Sequence, residues 1–93
     1  MSSNILAESL KLLRVYKGMP QWEMAKKMGV VNSLISEMEK GRRKISPSRI
    51  EKYSEILEIS VDEILDFAKK FQNHKDFQEE IFRSIISTVR KMK

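Results

Sequence analysis

Residues 20–44 read PQWEMAKKMGVVNSLISEMEKGRRK, and this stretch decides the fold. It spells two short helices joined by a tight turn, with a cluster of cations directly after. Pro20 suits the first turn of a helix, where its missing N–H costs nothing. Met24, Ala25 and Met28 then fall on one helical face. Gly29 follows at once, and glycine takes the left-handed, helix-ending conformation without a Cβ penalty. The chain restarts at Asn32 or Ser33, both able to cap a helix. Leu34, Ile35 and Met38 repeat at helical spacing, Gly41 closes the second helix, and Arg42, Arg43 and Lys44 precede Pro47.

A short turn between two helices does not by itself commit a chain to DNA, because helical hairpins are common. The details narrow the choice. Ala25 is small where a second helix has to cross closely. The start of the second helix carries Asn32 and Ser33, with Glu37 a turn later, all able to hydrogen-bond base edges. The cations lie at the far end, where a phosphate backbone would pass.

Gln21, Ala25, Gly29, Val30, Ile35, Ser36, Glu39 and Gly41 stand at the offsets Q-x-x-x-A-x-x-x-G-V-x-x-x-x-I-S-x-x-E-x-G. In this the chain resembles the lambda-repressor-like (Cro-type, XRE) helix-turn-helix family. Leu10, Leu13 and Arg14 look like the first helix of that family. Ile50, Leu57, Val61 and Leu65 look like its fourth and fifth. The resemblance implies an all-α fold with a five-helix DNA-binding domain. It also implies that Arg14 and Glu39 form a partly buried ion pair tying the first helix to the end of the recognition helix. Gln21, Asn32, Ser33 and Glu37 match the positions that read bases or fix the nearby backbone, and Val31 and Ser36 complete the recognition-helix set. Asn pairs naturally with adenine N6/N7, and Glu accepts from cytosine N4. The family usually has Ser or Thr where Val31 stands, capping the recognition helix and touching a phosphate. Valine can do neither, so Asn32 is a candidate to take over the cap, which would occupy its side chain. Val31 is left with a thymine methyl as its natural contact.

Around this motif several residues carry two readings. Trp22 is either a DNA contact, packing against a sugar or donating its indole N–H to a phosphate, or a half-exposed ring resting on the first helix. Glu37 either reads a cytosine or pairs with Lys40 at i,i+3. Lys26 and Lys27 read as a solvated face, and Met24 and Met28 as core. Lys40, Arg42, Arg43 and Lys44 form the densest run of charge, and a charge run is usually a solvated loop. Here it follows directly after the recognition helix, which points to phosphate contacts. From Glu51 to Asp66 the chain turns acidic, through Glu51, Glu55, Glu58, Asp62, Glu63 and Asp66 against Lys52 alone. One face is therefore expected positive and another negative, which orients a domain on a polyanion.

Composition agrees with one DNA-binding domain. The 93 residues suit a single modest core, and the net charge of +5 with pI about 9.6 favours polyanionic partners. There is no cysteine, so disulfides and thiolate metal sites are excluded, which fits a reducing compartment. Neither a signal-peptide pattern nor a run of membrane-spanning length is present. A cytoplasmic, nucleoid-associated protein of a prokaryote or phage is the expectation. No nucleophile–base pairing, metal cluster or Gly-rich phosphate loop is evident, so a non-enzyme without metal or cofactor is expected.

Outside the motif, Ile5, Leu6, Leu10, Leu13 and Tyr16 make one stripe of a first helix that Gly18 and Pro20 break. Ser46 reads as an N-cap with Pro47 at N1, and Ile50, Tyr53, Ser54 and Leu57 follow as an inner stripe. Ser60 to Glu63 reads as a capping box for a fifth helix, with Val61, Ile64, Leu65 and Ala68 inward. Phe67 and Phe71 extend the apolar surface further. His74, alone in a polar break, reads as a linker residue. The chain therefore divides into a helix-turn-helix domain at 4–72 and a strongly amphipathic helix at 76–93. In that helix Phe77, Ile81, Phe82, Ile85, Ile86 and Val89 recur on one face. The favoured reading is dimerisation, with help from Phe67 and Phe71, since paired half-sites give a dimer a functional reason. The alternatives are a sixth helix packed on its own domain and a helix that binds another protein, as in an antitoxin or anti-repressor. The reading as a whole is a homodimeric, sequence-specific regulator of transcription, a repressor, that binds double-stranded DNA.

Overall fold

The computed structural model describes residues 3–73. Residues 76–93, with Phe77, Ile81, Phe82, Ile85, Ile86 and Val89, lie outside the described residues, as does His74. Five helices run α1 (Ser3–Tyr16), α2 (Gln21–Met28), α3 (Asn32–Glu39), α4 (Pro47–Leu57) and α5 (Val61–Asn73). No strand occurs among the described residues.

Local chemistry sets the boundaries. Ser46 caps α4 by accepting from the Arg49 N–H at 3.4 Å, and Pro47 is the first helical residue. At α5 the Glu63 N–H donates to Ser60 Oγ at 3.1 Å, and the Ser60 N–H donates to Glu63 Oε1 at 3.3 Å. That is a closed capping box. Pro20 sits one position earlier than expected. It is the N-cap of α2, extended at φ −71° and ψ 160°, and its carbonyl accepts from Glu23 and Met24. Its ring fixes φ but offers no side-chain cap.

The first helix is the spine of the packing and contacts α5, α3 and α4. Ile5, Ala7, Leu10 and Leu13 enter the core from α1, and Ile64, Phe67, Ala68 and Phe71 meet them from α5. Tyr53 and Leu57 of α4 close the cluster. Phe67 and Phe71 are only 4% and 2% exposed, which corrects their assignment to a partner-facing surface. Two aromatic rings of that size gain most by being buried in their own domain.

The fold matters to function through α3. It has 8 residues, too few for a stable helix in isolation. Its position therefore comes from what it buries. Ile35 and Met38 are fully buried, and a buried side chain of this size contributes about 1.5–3 kcal/mol. Ala25 of α2 is also buried, and its small side chain suits the packing of α2 on α3.

Candidate nucleic-acid interface

The turn between α2 and α3 is built by Gly29, in the left-handed region at φ 73°. Its N–H donates to the Lys26 carbonyl at 3.2 Å, and the Val30 N–H donates to Ala25 at 3.0 Å. This 6→1 closure turns the chain back sharply after α2. Val31 then takes an extended conformation and is the N-cap of α3, with no side-chain cap. The cap therefore does not pass to Asn32, contrary to expectation. Asn32 is already the first helical residue, so its side chain lies beyond the cap position. It is exposed and has no side-chain hydrogen-bond partner among the described residues.

The other end of α3 is held by a buried polar cluster. Arg14 Nε donates to Glu39 Oε2 at 2.8 Å, and Arg14 Nη2 donates to Glu39 Oε1 at 2.9 Å. Both side chains are buried. Three more hydrogen bonds surround the pair. Arg14 Nη1 donates to the Met19 carbonyl at 2.6 Å, Gln21 Nε2 to Glu39 Oε1 at 3.2 Å, and Tyr53 Oη to Glu39 Oε2 at 3.0 Å. One carboxylate thus joins α1, α2, α3 and α4. Burial pushes the Tyr53 hydroxyl well above the ordinary tyrosine range, and the Glu39 charge adds to the effect. The hydroxyl therefore stays protonated and keeps donating. Among the described residues no buried side-chain nitrogen or oxygen lacks a partner.

Tyr53 is the member that sequence reasoning missed. It stood in the inner stripe of α4 as a hydrophobe. A signal was there, because a buried phenol needs a partner for its hydroxyl. Gln21, expected at a base or the nearby backbone of DNA, has its amide tied to Glu39.

With its ends fixed, α3 presents a polar face. Val31, Asn32 and Ser33 are exposed, and Ser36 and Glu37 are half-buried. Val31 is 68% exposed, an unusual state for a β-branched hydrophobe. Gly41, in the left-handed region, ends α3, and the Arg42 N–H donates back to the Glu37 carbonyl at 3.0 Å. That closure brings the cations alongside the helix. A groove of about 670 Å³ is lined by Val31, Ser33, Leu34, Glu37, Arg42 and Arg43. Lys40, Arg42, Arg43 and Lys44 are all exposed. Among the described residues Glu37 and Lys40 form no ion pair, and Glu37 instead shares the groove with the two arginines. Trp22, 62% exposed, stands beside Gln21 in the first turn of α2. The acidic residues Glu51, Glu55, Glu58, Asp62 and Asp66 are exposed on α4, α5 and the turn between them. Lys27 and Lys70 are engaged at 3.4 Å by Glu23 and Asp66 one turn back on their own helices.

Among the described residues no helix is long and apolar enough to cross a membrane. A family model described as helix-turn-helix matches residues 10–64, from the middle of α1 to the first turn of α5. No curated protein matches the chain. Among solved structures, the clp gene regulator ClgR from Corynebacterium glutamicum is similar in fold, with a TM-score of 0.77 and 25% identity. The match covers 95% of this chain and 94% of that one. The chain belongs to the lambda-repressor-like, XRE-type helix-turn-helix family of DNA-binding proteins.

Proposed function

We propose that the chain is a sequence-specific transcriptional repressor that binds double-stranded DNA as a homodimer and acts by occupancy. The observation that carries this reading is the start of α3, where Asn32 and Ser33 are exposed beside an open groove ending in Arg42 and Arg43. Residues at the start of a recognition helix reach deepest into a major groove. In this reading Asn32, Ser33, Ser36 and Glu37 face base edges. Trp22, Lys40, Arg42, Arg43 and Lys44 hold the phosphate backbone on either side, and Gln21 braces the start of α2 through Glu39. The similar solved structure is a gene regulator, which supports a role in gene regulation. The dimer rests on the apolar periodicity of residues 77–89 and on the geometry of paired half-sites, about 34–36 Å apart for one helical turn.

Trp22 is the single tryptophan, so its fluorescence reports binding without a label. Duplexes from around the protein's own gene are compared with random duplexes, at low and near-physiological salt. Tight binding to an own-gene duplex that survives the higher salt is the expected result. Equal, salt-labile binding to both reduces the cations to non-specific electrostatics and sinks the proposal. Sedimentation of the full chain tests the second half. A homodimer is expected, whereas a monomer shifts the 76–93 segment to a different protein partner.

A further inference from the structure

The groove beside α3 combines three chemistries that do not occur together by default. Val31 offers two methyl groups and no hydrogen-bonding atom. Glu37 offers a carboxylate that accepts and cannot donate. Arg42 and Arg43 supply positive charge along one wall. Val31 is too exposed to serve the core, and a cap residue at this place gains stability from a hydroxyl that valine lacks. A carboxylate near phosphates is repelled unless cations offset it and a donor meets it. The arginines in the same groove provide the first condition.

Resting on the DNA-binding reading above, we infer that this groove selects a pyrimidine carrying a C5-methyl group against Val31, together with a cytosine whose N4 amine meets Glu37. In the major groove the thymine methyl is the apolar feature of the code, and the cytosine N4 amine is a donor with no acceptor on the same base edge. Glu37 also works by exclusion. Guanine O6 and N7 and thymine O4 are acceptors, and a carboxylate facing them repels. The groove thus reads a thymine methyl group and a cytosine amine within the same site. A 5-methylcytosine presents the same methyl group to Val31.

The test is selection from random duplex DNA with the full chain, its V31A variant and its E37Q variant. Both positions lie outside the core, and circular dichroism confirms folding of each variant. The wild type is expected to enrich one motif containing a thymine and a cytosine at fixed positions. Deoxyuridine placed at that thymine weakens wild-type binding about three- to fivefold, the worth of one buried methyl group. Replacing the thymine with 5-methylcytosine, paired with guanine, restores the methyl contact, so it binds more tightly than unmethylated cytosine there. V31A loses most of the difference between thymine and deoxyuridine. Glutamine donates as well as accepts, so E37Q loses about tenfold of the preference for cytosine over guanine.

A wild-type motif in which no thymine responds to deoxyuridine overturns the methyl contact while DNA recognition stands. An E37Q variant that enriches the unchanged motif overturns the cytosine contact in the same way. Selection that enriches no motif overturns the DNA reading itself, and this inference with it.

Discussion

Arg14 of α1 and Glu39 of α3 meet in a two-pronged ion pair across 25 residues of chain, at 2.8 and 2.9 Å, with both side chains buried. The pair ties the C-terminal end of α3 to α1. Replacing one partner strands the other charge in the interior. Arg14→Ala is expected to destabilise the domain by about 3–5 kcal/mol. The Arg14→Met/Glu39→Leu double variant recovers part of that loss, because no charge is left unpaired although the buried Tyr53 hydroxyl loses its acceptor. Urea unfolding of the three chains decides it. A single variant as stable as the wild type would show that the pair does not hold the helix.

Tyr53 adds a pH dependence. Its folded-state pKa lies above the ordinary value of 10.0, through burial first and the Glu39 charge second. The hydroxyl is thus protonated in the folded domain at a pH where it ionises in the unfolded chain. Its contribution is complete below about pH 10 and declines above it. Tyr53→Phe is expected to cost about 1.5–3 kcal/mol at neutral pH, for the loss of a hydrogen bond to a carboxylate. It also removes the corresponding part of the alkaline destabilisation. Unfolding free energies measured from pH 8 to 11 test both, and parallel curves for the two proteins would contradict the assignment.

Val31 trades stability for surface. It occupies the N-cap of α3 in a conformation that suits a hydroxyl residue. Val31→Ser is expected to stabilise the domain by about 1 kcal/mol, since the new Oγ accepts from a free N–H of the first turn. Thermal unfolding measures this directly, and a decrease in Tm would show that the side chain packs in a way its exposure conceals.

The proposed base and backbone contacts separate by what they respond to. Asn32→Ala is expected to change which sequence is preferred, at about 1–3 kcal/mol of discrimination. Arg43→Ala weakens binding to every sequence alike and lowers the slope of log K against log salt by about 0.9. Titrations over a range of salt with an own-gene and a random duplex distinguish them. Identical behaviour of the two variants would dissolve the division between base and backbone contacts.

Gly29 and Gly41 share a left-handed conformation but differ in surroundings. A Cβ at Gly29 meets open space, whereas one at Gly41 runs into the side chain of Asn4 at the start of α1. Gly29→Ala is expected to cost about 1–2 kcal/mol from backbone strain alone. Gly41→Ala costs about 1 kcal/mol more, for the overlap. Adding Asn4→Ala to Gly41→Ala removes that excess. Equal costs for the two single substitutions would show that the Asn4 side chain moves aside freely.

Features that act over a few residues were legible from the chain alone. Gly29 and Gly41 ended α2 and α3, Ser46 with Pro47 began α4, and Ser60 with Glu63 began α5. Each is a contact within about one helical turn, so the local sequence determines it. The spacing of Gln21, Ala25, Gly29 and Glu39 likewise marked the family, because a helix-turn-helix is itself a local motif. The tertiary structure decided what depends on the approach of distant elements. Tyr53 reaches Glu39 across 14 residues, and Gln21 reaches it across 18. Phe67 and Phe71 turned inward because α5 packs along α1, a choice that periodicity leaves open between own core and partner. Asn32 was freed by its local backbone. The backbone of Val31 already occupies the cap position, so the side chain that reads as a cap in sequence stands one residue too late to serve as one.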